Sequence, residues 1–396
     1  MRLRKQKPNV YKSTARISLV SSFLASIFIG GIAPMDISDV CGMNLWDIKA
    51  GMWNDSLLEL TAGEFGLDFI KRQLGDVWCD CERSIGPISR YFVQRYGFHQ
   101  DCQVASFTGD NPASILALPL RPMDAMVSLG TSTTFLMSTP TYIPHPSYHF
   151  FNHPTTKGLY MFMLCYKNGG LAREKIRDTL PKGTAGDQWA AFEEQVSASP
   201  PLGRHNPGDS AKLGLYFPLP EIVPNVRAGT WRFTSPVSSR NTEVKESTQG
   251  WQLPADDARA IVESQILSLR LRSQKLVTKP SEDTPAQPRR IYIVGGGSMS
   301  PAIARVVGDV LGGTEGVHRL DVGGNACALG GAYKALWTVE RKPAESFDDL
   351  IGSRWQESAA TVKLNEGYRP AIWKMYEEIL PSFEEMEQQI LATEKR

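Results

Sequence analysis

Neither sign of charge dominates this chain: of 396 residues, 43 are Lys or Arg and 42 are Asp or Glu, a formal net charge of +1 with His neutral. Nucleic-acid domains carry a basic excess or a basic stripe. The densest basic cluster here is confined to Met1 to Lys7, so polyelectrolyte binding is excluded as a first function. Cysteine is also scarce. Cys41, Cys79, Cys81, Cys102, Cys165 and Cys327 are unevenly spaced, which excludes a disulfide framework and fits a reduced, cytoplasmic chain. Cys79-x-Cys81 is too tight for the usual zinc pair and reads as two ordinary thiols near a helix end. An apolar run long enough for a membrane, about 20 residues, is missing too. The stretch Ile17 to Ala33, behind basic residues through Arg16, imitates a signal peptide. Its basic part is long and contains Pro8, however, and Ile17, Val20, Leu24 and Phe28 fall at helical spacing, so a buried core helix is expected. No internal repeat is present.

What is present is enough apolar content, 42% against 21% charged, to exclude global disorder. At roughly 150 residues per domain the length has room for two or three domains. Ser197 to Gly208, Thr234 to Pro254 and Val277 to Pro288 read as linkers or surface insertions, being rich in Pro, Ser or charge. Between them short apolar strands alternate with helical patterns, for example helix Asp256 to Leu271 after Pro254, which argues for an α/β chain.

Three segments carry candidate chemistry. In the first, Arg290-Ile-Tyr-Ile-Val294 reads as a buried strand and Gly295-Gly296-Gly297 as a turn that bare backbone can make. Ser300 then reads as an N-cap, Pro301 as a first helical residue, and Ile303, Val306, Val307, Val310 and Leu311 as one apolar helix face. Strand, glycine turn and helix N-terminus together suit a nucleotide laid against backbone. The same turn admits a dinucleotide reading, with Asp321 as a ribose carboxylate at the end of the next strand, but Ser300 stands where the third glycine belongs. It also misses a nucleophile elbow, which needs glycine at 300. The second segment is Ser128-Leu-Gly130-Thr131-Ser-Thr-Thr134, between Ala125-Met-Val127 and Phe135-Leu-Met137. It reads as a β-hairpin whose hydroxyl and N–H groups can donate to phosphate oxygens. The third is Ser106-Phe-Thr-Gly-Asp110-Asn111-Pro-Ala113. Here a carboxylate next to an amide can take a proton from a sugar hydroxyl while the amide holds a neighbouring one, although Gly-Asp-Asn-Pro is by itself an ordinary turn sequence.

In this order and spacing the segments resemble the FGGY family of carbohydrate kinases. Further matching stretches are Arg16 to Ser26, Asp36-Ile-Ser-Asp39 through Asp47, Cys165-Tyr-Lys-Asn-Gly-Gly170 and Arg173-Glu-Lys-Ile-Arg177. The resemblance implies an actin/hexokinase-like α/β fold of two ribonuclease-H-like domains. It implies transfer of the γ-phosphate of ATP, with Mg²⁺, to a sugar hydroxyl, and the pattern is nearest members acting on the ketopentose D-xylulose. By position it implies Asp110 as catalytic base and sugar ligand, Asn111 as sugar ligand, and Gly130 and Thr131 as a phosphate loop. Gly296 and Gly297 would line the adenine site, Trp189 would lie near the base, and Ser300 would stand where relatives often have Asn. Asp36 and Asp39 are given a structural part, and no metal ligand is assigned. The family's opening β-hairpin, with its first phosphate loop, has no counterpart here. Residues 1–120 thus resemble the C-terminal remnant of the sugar-binding domain and 121–396 the nucleotide-binding domain. Weak or no turnover by this polypeptide alone is therefore expected. The alternatives are a non-catalytic remnant that binds nucleotide or a partner, and a dinucleotide-dependent oxidoreductase.

Overall fold

The computed structural model describes residues 1–118, 120–181, 188–206, 208–236, 243–320, 325–356 and 360–394. Through residue 118 the chain forms short elements. Those used below are helix α1 (Val20–Ile29), strands β1 (Met35–Asp36), β2 (Val77–Trp78), β3 (Ser84–Pro87) and β4 (Gln103–Ala105), and helix α2 (Asp110–Leu116). Among the described residues of this part every sheet is two-stranded, and a small core of Met35, Val40, Leu58, Ala62, Ile70 and Leu74 holds it together.

The remainder is built on one seven-stranded sheet. Strands β5 (Ala125–Leu129), β6 (Thr133–Thr139), β7 (His149–Asn152) and β8 (Tyr160–Tyr166) come first, then helices α3 (Gly170–Arg177), α4 (Gln188–Ala198) and α5 (Ala255–Ser273). There follow β9 (Ile291–Val294), α6 (Pro301–Leu311), β10 (Val317–Leu320), α7 (Ala326–Glu340), β11 (Thr361–Asn365) and α8 (Pro370–Glu394). The sheet order is β11-β10-β9-β5-β6-β8-β7. Strands β10, β9 and β5 run parallel and the other neighbours antiparallel.

Side chains alternate between the two faces of a strand, and here both faces are covered. Ala125, Val127, Leu129, Phe135, Met137, Ile291 and Ile293 pack into one core with α5, α6 and α8. Met126, Leu136 and Tyr292, each between two of those residues, pack on the other side with Ile115 and Leu116 of α2 and Trp337 of α7. The helix that begins with Asp110 is thus nailed to the back of the large sheet, through a core shared by both parts of the chain.

Two expectations change. The segment 17–33 is helical from Val20 to Ile29, but it is not a buried apolar helix: Val20 is 78% and Phe23 58% exposed, and Ser21, Ser22 and Ala25 face inward. The hydroxyls turn in because they have partners there. Ser21 Oγ donates to Asp39, Ser26 Oγ donates to the Ser22 carbonyl, and Ser26 Oγ accepts from Ala33 N. A buried polar group with a partner costs little. The three linkers, in turn, each carry an anchor in the interior, Leu202, Val244 and Gln287. No described helix is long and apolar enough to cross a membrane.

Candidate functional site

The two glycine turns meet because of sheet register. Strand β9 pairs with β5 in parallel, Ile291 opposite Ala125 through Val294 opposite Ser128, so both strands end at the same edge and their turns lie side by side. Ligands of open α/β sheets bind at this carboxyl end. Gly295 leaves β9 with φ at 82°, a conformation side chains resist, and a Cβ there would stand 3.1 Å from Gly130 N. The hairpin turn is buttressed from a third direction, since Gly170 N donates to the Gly130 carbonyl at 2.7 Å. Ser300 caps α6, its Oγ accepting from Ile303 N at 3.2 Å, and Glu193 accepts from Ala302 N at 3.1 Å. Gly130, Thr131, Trp189, Gly296, Gly297 and Ser300, far apart in sequence, line a single cleft of about 670 Å³. Trp189 stands at its wall with the Arg177 guanidinium 4.5 Å above its ring. Asp321, the carboxylate of the dinucleotide reading, lies outside the described residues.

Asp110 opens α2 and is exposed. Its Oδ1 accepts from the backbone N of Asn111 at 2.8 Å and from Asn111 Nδ2 at 3.1 Å, so the amide fixes one oxygen and leaves the other to a ligand. Asp110 sits near the first turn of α7: its charge helps burial push the Cys327 thiol up. Since α7 follows β10, Asp110 lies at the same end of the sheet as the glycine turns. Asp39 is close by, its carboxylate within 2.4 Å of where a Cβ on Gly109 would stand. Burial, with the charges of Asp36 and Asp110, raises its pKa against the hydrogen bond from Ser21.

Sequence reasoning passed over the residue that ties these parts together. Lys334 of α7 is buried and donates to Asp36 Oδ2 at 2.5 Å and to Ser106 Oγ at 3.1 Å. Ser106 donates to the same Asp36 oxygen at 2.8 Å, and Ser38, which donates to Asp36, contacts Thr108 Oγ1 at 2.6 Å. Burial pushes Asp36 up, but the Lys334 charge and the hydrogen bonds from Lys334, Ser38 and Ser106 outweigh it and hold the carboxyl below its usual value. The segment leading to Asp110 is thereby fixed to α7. A lone lysine on a helix of small residues gives no sign of this; only burial reveals it. Arg173 at the floor of the cleft, and Gln265 that accepts from its guanidinium, were equally hidden, although Arg173 lies in a stretch that matches the family.

A large sheet with two glycine turns at its carboxyl edge, and a carboxylate-bearing helix docked behind it, is the architecture of the actin/hexokinase-like sugar kinases. A xylulose kinase from Lactobacillus acidophilus has this fold, with a TM-score of 0.74 at 18% identity over 99% of this chain and 71% of its own. The family pattern described as "FGGY family of carbohydrate kinases, C-terminal domain" matches residues 125–339. Sequence relatives include "Probable D-xylulose kinase A" of Aspergillus fumigatus, 59% identical over 398 residues, and "D-xylulose kinase A" of Aspergillus niger, 57% identical over 397. Each alignment takes in all of this chain and 69% of the relative. The chain belongs to the FGGY family of carbohydrate kinases, for which ATP is the co-substrate. That membership leaves the oxidoreductase reading without support.

Proposed function

We propose that this chain carries the machinery for phosphorylating D-xylulose to D-xylulose 5-phosphate with ATP, in the cytoplasm. The observation that carries the reading is the gathering of the two glycine turns in one cleft, with Asp110 at the same end of the sheet. Phosphoryl transfer needs little covalent work from protein: in-line positioning, charge stabilisation and a base. Backbone N–H groups of the Gly130-Thr131 and Gly296-Gly297 turns would donate to phosphate oxygens. Trp189 would flank the base and Ser300 would order the helix start beneath it. Asp110, its Oδ1 held by Asn111, would take the proton of the attacking sugar hydroxyl on its other oxygen, with Asn111 also contacting the sugar. Residues 1–120 would form the sugar side and 121–396 the nucleotide side.

Mg²⁺ would supply charge neutralisation at the phosphates. The donor set fits an ion brought in by the nucleotide. Mg²⁺ keeps waters and phosphates as ligands beside one or two carboxylates, and the Asp39–Asp110 pair is one whose mutual repulsion a cation relieves. No cage of three or more His, Cys, Asp or Glu exists among the described residues.

One observation favours a second reading, a relative that binds nucleotide without turnover: the sugar side rests on two-stranded sheets, the nucleotide side on seven strands. Calorimetry with ATP and a coupled assay with D-xylulose separate the two. Nucleotide binding together with xylulose-dependent ADP release supports the kinase. Binding without release supports the second reading, and absence of ATP binding overturns both.

A further inference from the structure

Arg173, in the middle of α3, is buried at 2% exposure beneath the nucleotide cleft. Its Nη1 donates to Gln265 Oε1 at 2.7 Å and its Nη2 to the Leu129 carbonyl at 3.3 Å. Gln265 in turn donates to the carbonyls of Asn168 and Gly169 at 2.9 and 3.0 Å, so the guanidinium is clamped in one orientation. That orientation places it below both glycine turns. Leu129 precedes Gly130, and a Cβ on Gly297 would lie 3.2 Å from Nη2.

The cation has no carboxylate in ion-pair contact among the described residues. Other arginines withdrawn from solvent do: buried Arg259 pairs with Glu263 at 2.6 Å and part-buried Arg272 with Glu387 at 2.7 Å. Arg270 lies over the Trp373 ring at 3.7 Å, whose face supplies electron density instead. For Arg173, burial lowers the pKa to about 10, with the charge of its chain neighbour Glu174 opposing. A buried charge without a partner is strongly unfavourable. A guanidinium has five N–H groups, of which two are engaged here. The missing negative charge is what an anion entering the cleft would bring.

We propose that Arg173 is a phosphate-binding residue of the nucleotide site, its counter-charge supplied by the nucleotide itself. The ligand-free protein therefore carries an uncompensated cation that nucleotide phosphates neutralise. This rests on the nucleotide reading of the cleft and adds to it the part of the ligand that is read.

Calorimetry and thermal unfolding of the 396-residue chain and of Arg173→Met, with ADP, adenosine and inorganic pyrophosphate as probes, test it. ADP affinity is expected to fall roughly 10- to 100-fold in Arg173→Met, as for a lost charge-assisted contact, while adenosine affinity changes less than about twofold. Pyrophosphate is expected to stabilise the wild type alone. The unfolding midpoint of the ligand-free variant should be higher than wild type, which a merely structural brace would not produce. Arg173→Lys, keeping charge without the fork, should retain more ADP affinity than Arg173→Met, and it decides the matter if Arg173→Met does not fold. Equal ADP binding by wild type and both variants overturns the proposal. If ADP does not bind the wild type but pyrophosphate does through Arg173, the nucleotide reading falls and the phosphate site stands. If neither binds, both fall.

Discussion

A carboxylate acts as a base only when it faces solvent or substrate and keeps an oxygen free. Asp110 meets both conditions, being exposed with Asn111 occupying Oδ1 alone. Asp110→Asn is expected to lower kcat for D-xylulose phosphorylation by at least about 100-fold, the ordinary worth of a positioned base. ADP affinity, measured by calorimetry, should stay within about twofold. Comparable kcat in the variant would remove Asp110 from the chemistry. The Asp110-Asn111 pair and the glycine turns were legible in the sequence because they are local: residues a few positions apart spell out each turn. Arg173 and Lys334 were not legible. Charged residues on a helix read as a solvated face, and whether the face is solvated is decided by what packs on it.

At the scale of elements, the contact that places Asp110 is the crossing of α2 over α7. At Gly330 of α7 a Cβ would fall 1.7 Å from the Ala113 carbonyl oxygen, and the backbone of Ala117 is also within reach. The helices touch backbone to backbone. Gly330→Ala should therefore force them apart and cost about 2–3 kcal/mol, as overpacking in a core does. Gly331→Ala, where an added Cβ meets nothing, should be neutral or stabilising by up to about 1 kcal/mol, since alanine favours the helix. Urea midpoints of the two variants give the comparison, and equal midpoints would show that the crossing yields easily. Strand β9, helix α6 and the β5–β6 hairpin match their sequence patterns because period-two and period-3.6 burial coincide there with strong turn signals. Helix α1 shows where such patterning stops. Its apolar spacing was read correctly as a helix, but the interior took the serine side, because Asp39 and the Ala33 N–H offered partners for hydroxyls.

At the scale of the molecule, Asp36 and Lys334 join parts of the chain 298 residues apart inside a closed polar network. Removing one partner of a buried pair leaves the other charge stranded, so Lys334→Met should cost about 3–5 kcal/mol, whereas Asp36→Leu with Lys334→Met should recover most of it. Chemical unfolding of the single and double variants measures this, and additive losses would show that the pair is not a unit. The sign with pH follows from the depressed Asp36 carboxyl. Its stabilisation is complete above the ordinary aspartate value and is lost as pH falls through the lower, folded value, because the unfolded chain takes up the proton first. Wild type should thus lose stability below about pH 4 through a step that the double variant lacks.

The sequence by itself determined the local devices: the strand and helix around Gly295 to Gly297, the hydroxyl-rich hairpin at Gly130, the Asp110-Asn111 pair, and by their order the family. Each depends on residues within a few positions of one another, so pattern alone suffices. Tertiary structure decided which of these share a wall. The parallel register of β9 on β5 brought the two turns together, and the packing of α2 against α7 fixed where Asp110 stands. It also decided which charges are buried. Burial is a property of the whole packing arrangement, and for that reason Arg173 beneath the cleft and Lys334 behind Asp110 come to light only in the folded molecule.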